Sequence, residues 1–428
     1  MTDTGRLPAG LAARRAALAI LSGVLQKRRP LDAGLDQLAG LAVRDAGFAR
    51  ALASETLRHM GALDAVLRKF MAKPLAPHKA GVAGEILLLG ACELLVLKVA
   101  PHAAVDAANE LAAKDSKAAH FKPLINAVLR KVAKEGDTVL SGLDRERLST
   151  PDWLWSRWTA HYGAGMARVI ARAHQQSAPV DIVLKSSDSV SPPSEELFGL
   201  VRRLNETGRI DELPGFAEGD WWVQDAAATL PALLLGDVAG QNVIDLCAAP
   251  GGKTMQLAAR GAKVTAVEID ATRAERIREN LSRTKLDAEV VVADARDFEG
   301  SAPFVLIDAP CTATGTIRRH PDLPWIKGAA DVTVSAGAAY EILESGARLV
   351  APGGTLVFAV CSLEREEGEE QIAAFISTHP EFSRVPVTAE EVFGYADWIT
   401  PEGDLRTLPC YLPAGMDGFY AARLKRLT

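Results

Sequence analysis

The chain is poor in cysteine: of 428 residues only five are Cys, at positions 92, 247, 311, 361 and 410, and none lies in a CxxC pair. No Cys/His spacing suits zinc either, so a disulfide framework is excluded, no metal is expected, and the setting reads as reducing. Long hydrophobic runs are also missing. The longest, residues 86–97, reaches only about half a membrane span and contains Glu93. The start, Met1-Thr2-Asp3-Thr4-Gly5, has no basic segment followed by an apolar one, so a soluble, cytoplasmic chain with no membrane attachment is expected. Internal repeats and low-complexity tracts are absent, which leaves ordinary globular domains.

What is present supports that reading. Apolar residues make up 48% and charged residues 24%, a globular balance, and the length allows two or three domains with a core each. The net charge of −6 conceals a division: residues 1–140 carry 20 Lys/Arg against 13 Asp/Glu, which leaves 28 against 41 for the remainder. The first part is therefore +7 and the rest −13. A basic module on an acidic one suits a polyanion-docking domain joined to an enzyme, although basic helical faces are also commonly just solvated.

Apolar residues recur at three- and four-residue spacing through the first 134 positions, as in Leu11, Leu18, Leu21 and Leu25, and again in Leu87, Leu88, Ala91, Leu94 and Leu95. This predicts a helical bundle, with Pro101 opening one helix and Pro123 another. Residues 135–150 read as a polar, glycine-containing linker. Beyond it, 151–175 is expected as helix, 180–184 as strand and 194–204 as helix. From Asn242 the alternation becomes regular, with strands at 243–246, 264–267, 289–292, 304–307, 355–360 and 419–424 and helices between most of them. That order implies a mostly parallel, doubly wound sheet that binds ligands at the carboxyl ends of its strands.

The first of these strands leads into Asp245-Leu246-Cys247-Ala248-Ala249-Pro250-Gly251-Gly252-Lys253-Thr254. Small residues there let a ligand approach the backbone, and the following helix offers unpaired N–H groups, so a nucleotide-like cofactor fits. A phosphate loop is excluded, because the position five before Gly252 is Cys247 rather than glycine. The second strand ends at Glu268, whose carboxylate suits a ribose; Asp294 and Asp308 end later strands. An acidic ring of this kind favours a cofactor without phosphates, a condition S-adenosylmethionine meets. Taken singly, such acids also serve as helix caps.

Two cysteines follow adjacent strands, Cys311 in Ile307-Asp308-Ala309-Pro310-Cys311-Thr312 and Cys361 in Ala359-Val360-Cys361-Ser362. Either alone reads as a small buried hydrophobe. Together they suit methylation at carbon 5 of a pyrimidine. That carbon attacks a sulfonium methyl only after a nucleophile has added to carbon 6, a thiolate can add, and a second thiol can serve as the base for elimination.

On DLCAAPGGKT, VEID, DAPCTATGTIRRHPD, CS and MDGFYAARL, residues 225–428 resemble the RsmB/Nop/Sun family of RNA 5-methylcytosine methyltransferases. The resemblance implies Cys361 as nucleophile, Cys311 as the residue assisting elimination, and Asp308 at the cytosine edge and the cofactor region. It assigns S-adenosylmethionine to Cys247, Ala248, Ala249, Pro250, Gly251, Gly252 and Lys253, with Glu268 at the ribose and Asp294 near the adenine. Glu268 stands where the family often has Asp, Val360 replaces the usual Thr and Thr312 the usual Ser. Residues 181–185 lack the family's Arg-x-Asn pattern. Trp221 and Trp222 read as core, with base stacking as the alternative.

The stretch EILLLGACELLVLKVAPHAAVDAANELAAK, followed by FKPLINAVLRKV, resembles the all-helical NusB RNA-binding domain at Glu85, Pro101, Val105, Asn109, Glu110, Asn126 and Arg130. Three parts are therefore expected: a NusB-like all-α domain over 1–140, a linker with a small α+β RNA-contacting subdomain over 141–224, and a Rossmann-like class I methyltransferase domain over 225–428. The pairing implies a cytosine in 16S ribosomal RNA as substrate, free or in an assembling small ribosomal subunit. Alternatives are transfer RNA or another RNA, or a non-catalytic assembly factor. Arg318, Arg319 and His320 are expected to touch phosphate, with a solvated loop as the bland reading. The acidic run 364–370 is expected to be an exposed helix start. A monomer is expected.

Overall fold

The computed structural model describes residues 10–206 and 208–428; the start read for a targeting signal, Met1 to Gly5, lies outside the described residues. Two compact units divide the chain: residues 10–176 with Ile317–Gly328, and residues Ser177–Thr316 with Ala329–Thr428. The segment expected as one subdomain, 141–224, is thus shared between them.

The first unit is helical, with α1 (Leu11–Lys27), α2 (Val43–Arg58), α3 (Met60–Phe70), α4 (Pro77–Ala80), α5 (Ala83–Leu95), α6 (Pro101–Ala113), α7 (Lys122–Ser141), α8 (Arg145–Leu148) and α9 (Asp152–His174). Leu11, Leu18, Leu21, Leu87, Leu94 and Leu95 lie in its core, as their spacing predicts. Prolines sit in the first turns of α6 and α7, where the missing N–H costs nothing. The expected linker at 135–150 is a correction: α7 continues through it to Ser141 and α8 follows. Gly136 is the physical reason, since a Cβ there would lie 2.9 Å from Leu95 Cδ2. A glycine that reads as a breaker is a contact that lets α7 approach α5.

The second unit opens with a four-stranded antiparallel sheet, β1 (Asp181–Leu184), β2 (Ser194–Phe198), β3 (Val201–Leu204) and β4 (Trp221–Val223), ordered β2-β3-β1-β4. The helix expected at 194–204 is therefore a hairpin. Its turn passes through Gly199 at φ 50°, and the pairing of β3 with β1 sets Arg203 opposite Asp181. Their buried side chains meet in a two-pronged ion pair at 2.7 and 3.0 Å, a non-local bond that outweighs local helix preference. Trp221 and Trp222 are core residues.

Next come α10 (Ala226–Leu233), β5 (Asn242–Leu246), α11 (Gly252–Ala259), β6 (Lys263–Glu268), α12 (Ala271–Thr284), β7 (Glu289–Val292) and β8 (Ala302–Asp308). The chain then contributes α13 (Leu323–Ile326) to the helical unit, and resumes with α14 (Ala329–Leu349), β9 (Val350–Val360), α15 (Glu369–Thr378), β10 (Phe382–Arg384), β11 (Leu405–Arg406) and β12 (Tyr420–Arg426). The sheet order is β10-β12-β9-β8-β5-β6-β7, parallel from β9 to β7 and antiparallel at β12 and β10. Leu306, Val357 and Ala359 face the cluster containing α10, α11 and α12 residues. Val305, Ile307, Leu356 and Phe358 face the cluster of α14 and α15. Side chains alternate across the sheet, so helices cover both faces and the parallel strands read as continuous apolar runs. Among the described residues, no helix is long and apolar enough to cross a membrane.

Candidate active site

Parallel strands end on one edge, which brings Cys247 after β5, Glu268 at the end of β6, Asp308 at the end of β8 and Cys361 after β9 to the same side of the sheet. The turn after β5 is left-handed at Cys247 (φ 60°) and at Gly251 (φ 101°), and the Gly251 N–H donates to Ala248 O at 2.8 Å. Glycine is required at the second position because residues with a Cβ rarely adopt a φ of 101°, and a Cβ there would also lie 3.2 Å from Ile277 Cγ2.

Glu268 is buried, and its two carboxylate oxygens accept from the backbone N–H groups of Ala249 at 3.2 Å and Asp270 at 3.1 Å. It thereby joins the loop after β5 to the end of β6. Asp294 is gripped by the Arg296 guanidinium, with a closest approach of 2.6 Å, and that partner holds its carboxyl below the usual range. Burial pushes the Cys247 thiol up to about 12, with the Asp308, Glu268 and Asp245 carboxylates adding to the shift. A thiol held this high is protonated at neutral pH and is a poor nucleophile.

Lys253, expected in the cofactor loop, points its ammonium at Asp308 Oδ2, 2.7 Å away, and lies 5.0 Å from the centre of the Phe419 ring. Its charge is thus matched by a carboxylate. The donor set around the loop is acidic, and its lysine is occupied, which fits a nucleoside carrying a cationic sulfonium rather than a phosphate.

Cys311 and Cys361 are brought together, their Sγ atoms 3.5 Å apart. The proximity of Cys361, then burial, then the charges of Cys361 and Glu367, hold the Cys311 thiol well above its ordinary range. Backbone bonds fix the two segments: Ala309 N–H donates to Ala359 O at 2.8 Å, and Gly315 N–H to Cys361 O at 3.0 Å. Gly315 also touches the Met416-Asp417-Gly418 turn, where Gly418 N–H donates to Gly315 O at 2.9 Å. A Cβ on Gly315 would lie 1.9 Å from Gly418 O.

The acidic run 364–370 is a correction. Glu364 and Glu367 are fully buried, and α15 begins only at Glu369. Glu367 accepts from Thr312 N–H at 2.7 Å, from Thr312 Oγ1 at 2.6 Å and from Ser362 Oγ. Glu369 pairs with Arg406, whose Nη1 donates to Ser362 O at 2.5 Å. Composition alone hides this, because a run of acids before a helix normally faces water. The available signal was its position, a few residues after the Cys361-Ser362 pair.

Arg318, Arg319 and His320 belong to the helical unit. Arg318 is only 1% exposed, so the expected phosphate contact is corrected for this residue: its side chain is used inside the protein. Arg319 and His320 are half-buried. The segment that carries them is anchored within its unit by Leu31 N–H to Asp322 Oδ2 at 2.9 Å and by Trp325 Nε1–H to Leu57 O at 3.0 Å.

A doubly wound sheet with a small-residue loop after its first parallel strand, acids at the next strand ends and no phosphate cradle defines the second unit as a Rossmann-like methyltransferase domain. A family model described as 16S rRNA methyltransferase RsmB/F matches residues 232–425, and one described as NusB family matches residues 11–134. The ribosomal RNA small subunit methyltransferase B of Pseudomonas putida is 37% identical, over 98% of this chain and 98% of that one. Its namesake from Sodalis glossinidius is 35% identical over 95% of each. The solved structure of PH0851 shares the fold, with a TM-score of 0.76 at 24% identity over 98% of this chain and 99% of that one. The chain belongs to the RsmB/F family of methyltransferases and carries a NusB-family domain at its N-terminal side.

Proposed function

We propose that this protein transfers a methyl group from S-adenosylmethionine to carbon 5 of a cytosine in 16S ribosomal RNA, through a covalent bond between Cys361 and carbon 6. The observation that carries this reading is the pair of thiols 3.5 Å apart at the ends of adjacent parallel strands, beside the Lys253–Asp308 pair. The small-subunit names of the relatives support the choice of RNA. When bound, S-adenosylmethionine supplies an electrophilic sulfonium methyl; residues Cys247 to Lys253, Glu268 and Asp294 would hold it.

The chain's own groups divide the remaining work. Cys361 adds to carbon 6 of an unstacked cytosine, which raises electron density at carbon 5. Asp308 meets the polar edge of the base, with its carboxylate oriented by Lys253. The neighbouring Cys361 is the first cause of the raised Cys311 pKa, ahead of burial, and that part of the shift is removed once Cys361 is a neutral thioether. Cys311 then gives its proton to water and, as a thiolate, takes the one on carbon 5; the pair from that C–H bond restores the carbon 5–carbon 6 double bond, and the carbon 6–sulfur pair leaves with Cys361 as its thiolate. The basic first 140 residues, Arg319 and His320 would contact RNA phosphates.

The test is methyl transfer to 16S rRNA, with bisulfite sequencing of ribosomal and transfer RNA as the readout of position. Cys361→Ala is expected to give no product, and Cys311→Ala to accumulate a protein–RNA adduct that survives denaturing electrophoresis. Wild-type turnover in Cys361→Ala would remove the nucleophile assignment. 5-Methylcytosine in transfer RNA alone would move the substrate.

A further inference from the structure

One carboxylate grips the residue that follows each thiol. Glu367 takes two hydrogen bonds from Thr312, next to Cys311, at 2.7 and 2.6 Å, and another from Ser362, next to Cys361. A second layer closes around it. Thr314 Oγ1 lies 3.2 Å from Ser362 Oγ and accepts from Leu363 N–H at 3.0 Å, while Ser362 Oγ accepts from Glu364 N–H at 3.0 Å.

We propose that Glu367 is a positioning residue for the methyl transfer: its buried carboxylate locks the two cysteine loops in register. This rests on the two-cysteine reading given above. The proposal assigns Glu367 a part that an exposed helix-start acid does not have.

Two arguments support it. First, geometry: with no bond from Glu367, the segment after β8 and the segment after β9 lose the side-chain tie they share at the positions adjoining the sulfurs. A displacement of about 1 Å at reacting atoms costs on the order of 10²-fold in rate. Second, charge: Glu367 contributes to the raised Cys311 pKa, after Cys361 and burial. The groups that bear on Cys311 are Cys361 and Glu367; burial raises the Glu367 carboxyl itself, the bonds from Ser362 and Thr312 pull it back, and Glu364 adds to the rise. A negative charge at Glu367 therefore favours the protonated form of Cys311.

The test uses the full-length protein with Glu367→Gln, Glu367→Asp and Thr312→Val. Alkylation of each thiol by iodoacetamide is followed against pH by peptide mass spectrometry without RNA, so this arm does not depend on the methylation chemistry. Glu367→Gln keeps an acceptor for Thr312 N–H but loses the charge. We expect its Cys311 to react at lower pH than in the wild type, with kcat down at least tenfold and KM within twofold. Glu367→Asp is expected to restore the pH profile while leaving kcat low, because the shorter side chain cannot span both loops. Thr312→Val, which removes one of the bonds, is expected to lower kcat even if Glu367→Gln fails to fold. A folded Glu367→Gln with an unchanged Cys311 profile and wild-type kcat would overturn the proposal, as would wild-type kcat in Thr312→Val should Glu367→Gln not fold. Methylation by Cys361→Ala, by contrast, would remove the underlying reading and leave the alkylation result standing.

Discussion

The Lys253 ammonium lies 2.7 Å from the Asp308 carboxylate and 5.0 Å from the centre of the Phe419 ring, so the start of α11, the end of β8 and the approach to β12 converge on one cation. The partners are unequally shielded, with side-chain exposures of 8% for Lys253 and 29% for Asp308. Removing the acid therefore strands a buried ammonium, while removing the lysine leaves a carboxylate that water still reaches. Lys253→Met is expected to fold and to lose roughly 10²-fold in kcat, the lower end of what a misplaced acid–base group costs. Asp308→Ala is expected to lose activity and about 2 kcal/mol of stability as well, less than the roughly 3–5 kcal/mol of a fully buried pair. Thermal unfolding set beside methyl transfer separates the two effects, and equal melting temperatures for both variants would contradict the asymmetry.

Gly315 is tested by Gly315→Ala. The new methyl group meets a backbone carbonyl at 1.9 Å, and a backbone atom cannot rotate away as a side chain can. The turn at Gly418 or the segment after Cys311 must shift, which should cost about 1–3 kcal/mol and widen the thiol separation. The variant is expected to be folded at low temperature and inactive. Wild-type turnover would show that the two thiols tolerate movement of the loop.

Parts of this arrangement were legible in the sequence and parts were not, for physical reasons. The parallel strands announce themselves because both faces are covered, so residues such as Val305 to Ile307 and Leu356 to Val360 form unbroken apolar runs. The strand-end residues follow from them, and the spacing alone sets both cysteines just beyond the ends of adjacent strands. Bonds between distant segments carry no local signature. Arg203 and Asp181 convert an expected helix into a hairpin, Leu95 converts Gly136 from a breaker into a contact, and Thr312 and Ser362 draw Glu367 out of what reads as a solvated acidic run. Arg318 belongs with these: its charge suits a phosphate, and only the tertiary structure reveals that it is buried.

The Arg203–Asp181 pair yields a prediction for the small sheet. Arg203 also donates to Gly415 O at 2.7 Å and to Pro413 O, and Asp181 accepts from Ala226 N–H at 3.2 Å, so one ion pair joins β1, β3, α10 and the loop before β12. Arg203→Met removes the cation and leaves Asp181, which is fully buried. The loss should approach roughly 3–5 kcal/mol. Burial already raises the Asp181 carboxyl above its usual range, so protonation should recover part of the loss and the variant should be relatively more stable in mild acid. Chemical denaturation at two pH values measures this, and a loss independent of pH would show that packing rather than charge dominates.

Asp245, the penultimate residue of β5, predicts a pH dependence of opposite origin to the usual carboxylate. It is fully buried, accepts one bond from Thr254 Oγ1 at 2.6 Å, and its other oxygen has no partner among the described residues. Burial pushes its carboxyl up to about 7, against which Thr254 and Lys253 pull only partly. Between the ordinary carboxylate range and pH 7, the folded protein thus holds a proton that the unfolded chain has released. Stability contributed by this group is complete below about pH 4 and is lost as pH rises toward 7, by a few kcal/mol at most. Asp245→Asn should flatten that part of the stability curve, because the amide does not ionise. Denaturation midpoints taken from pH 4 to 8 for the two proteins would reveal the difference, and parallel curves would mean that Asp245 stays ionised in the folded state. The same titration bears on the loop after β5, where the proposed function places S-adenosylmethionine, since ionising Asp245 adds a negative charge that acts on Cys247 and Asp308. Asp245→Asn is therefore expected to weaken the pH dependence of cofactor binding across the same interval.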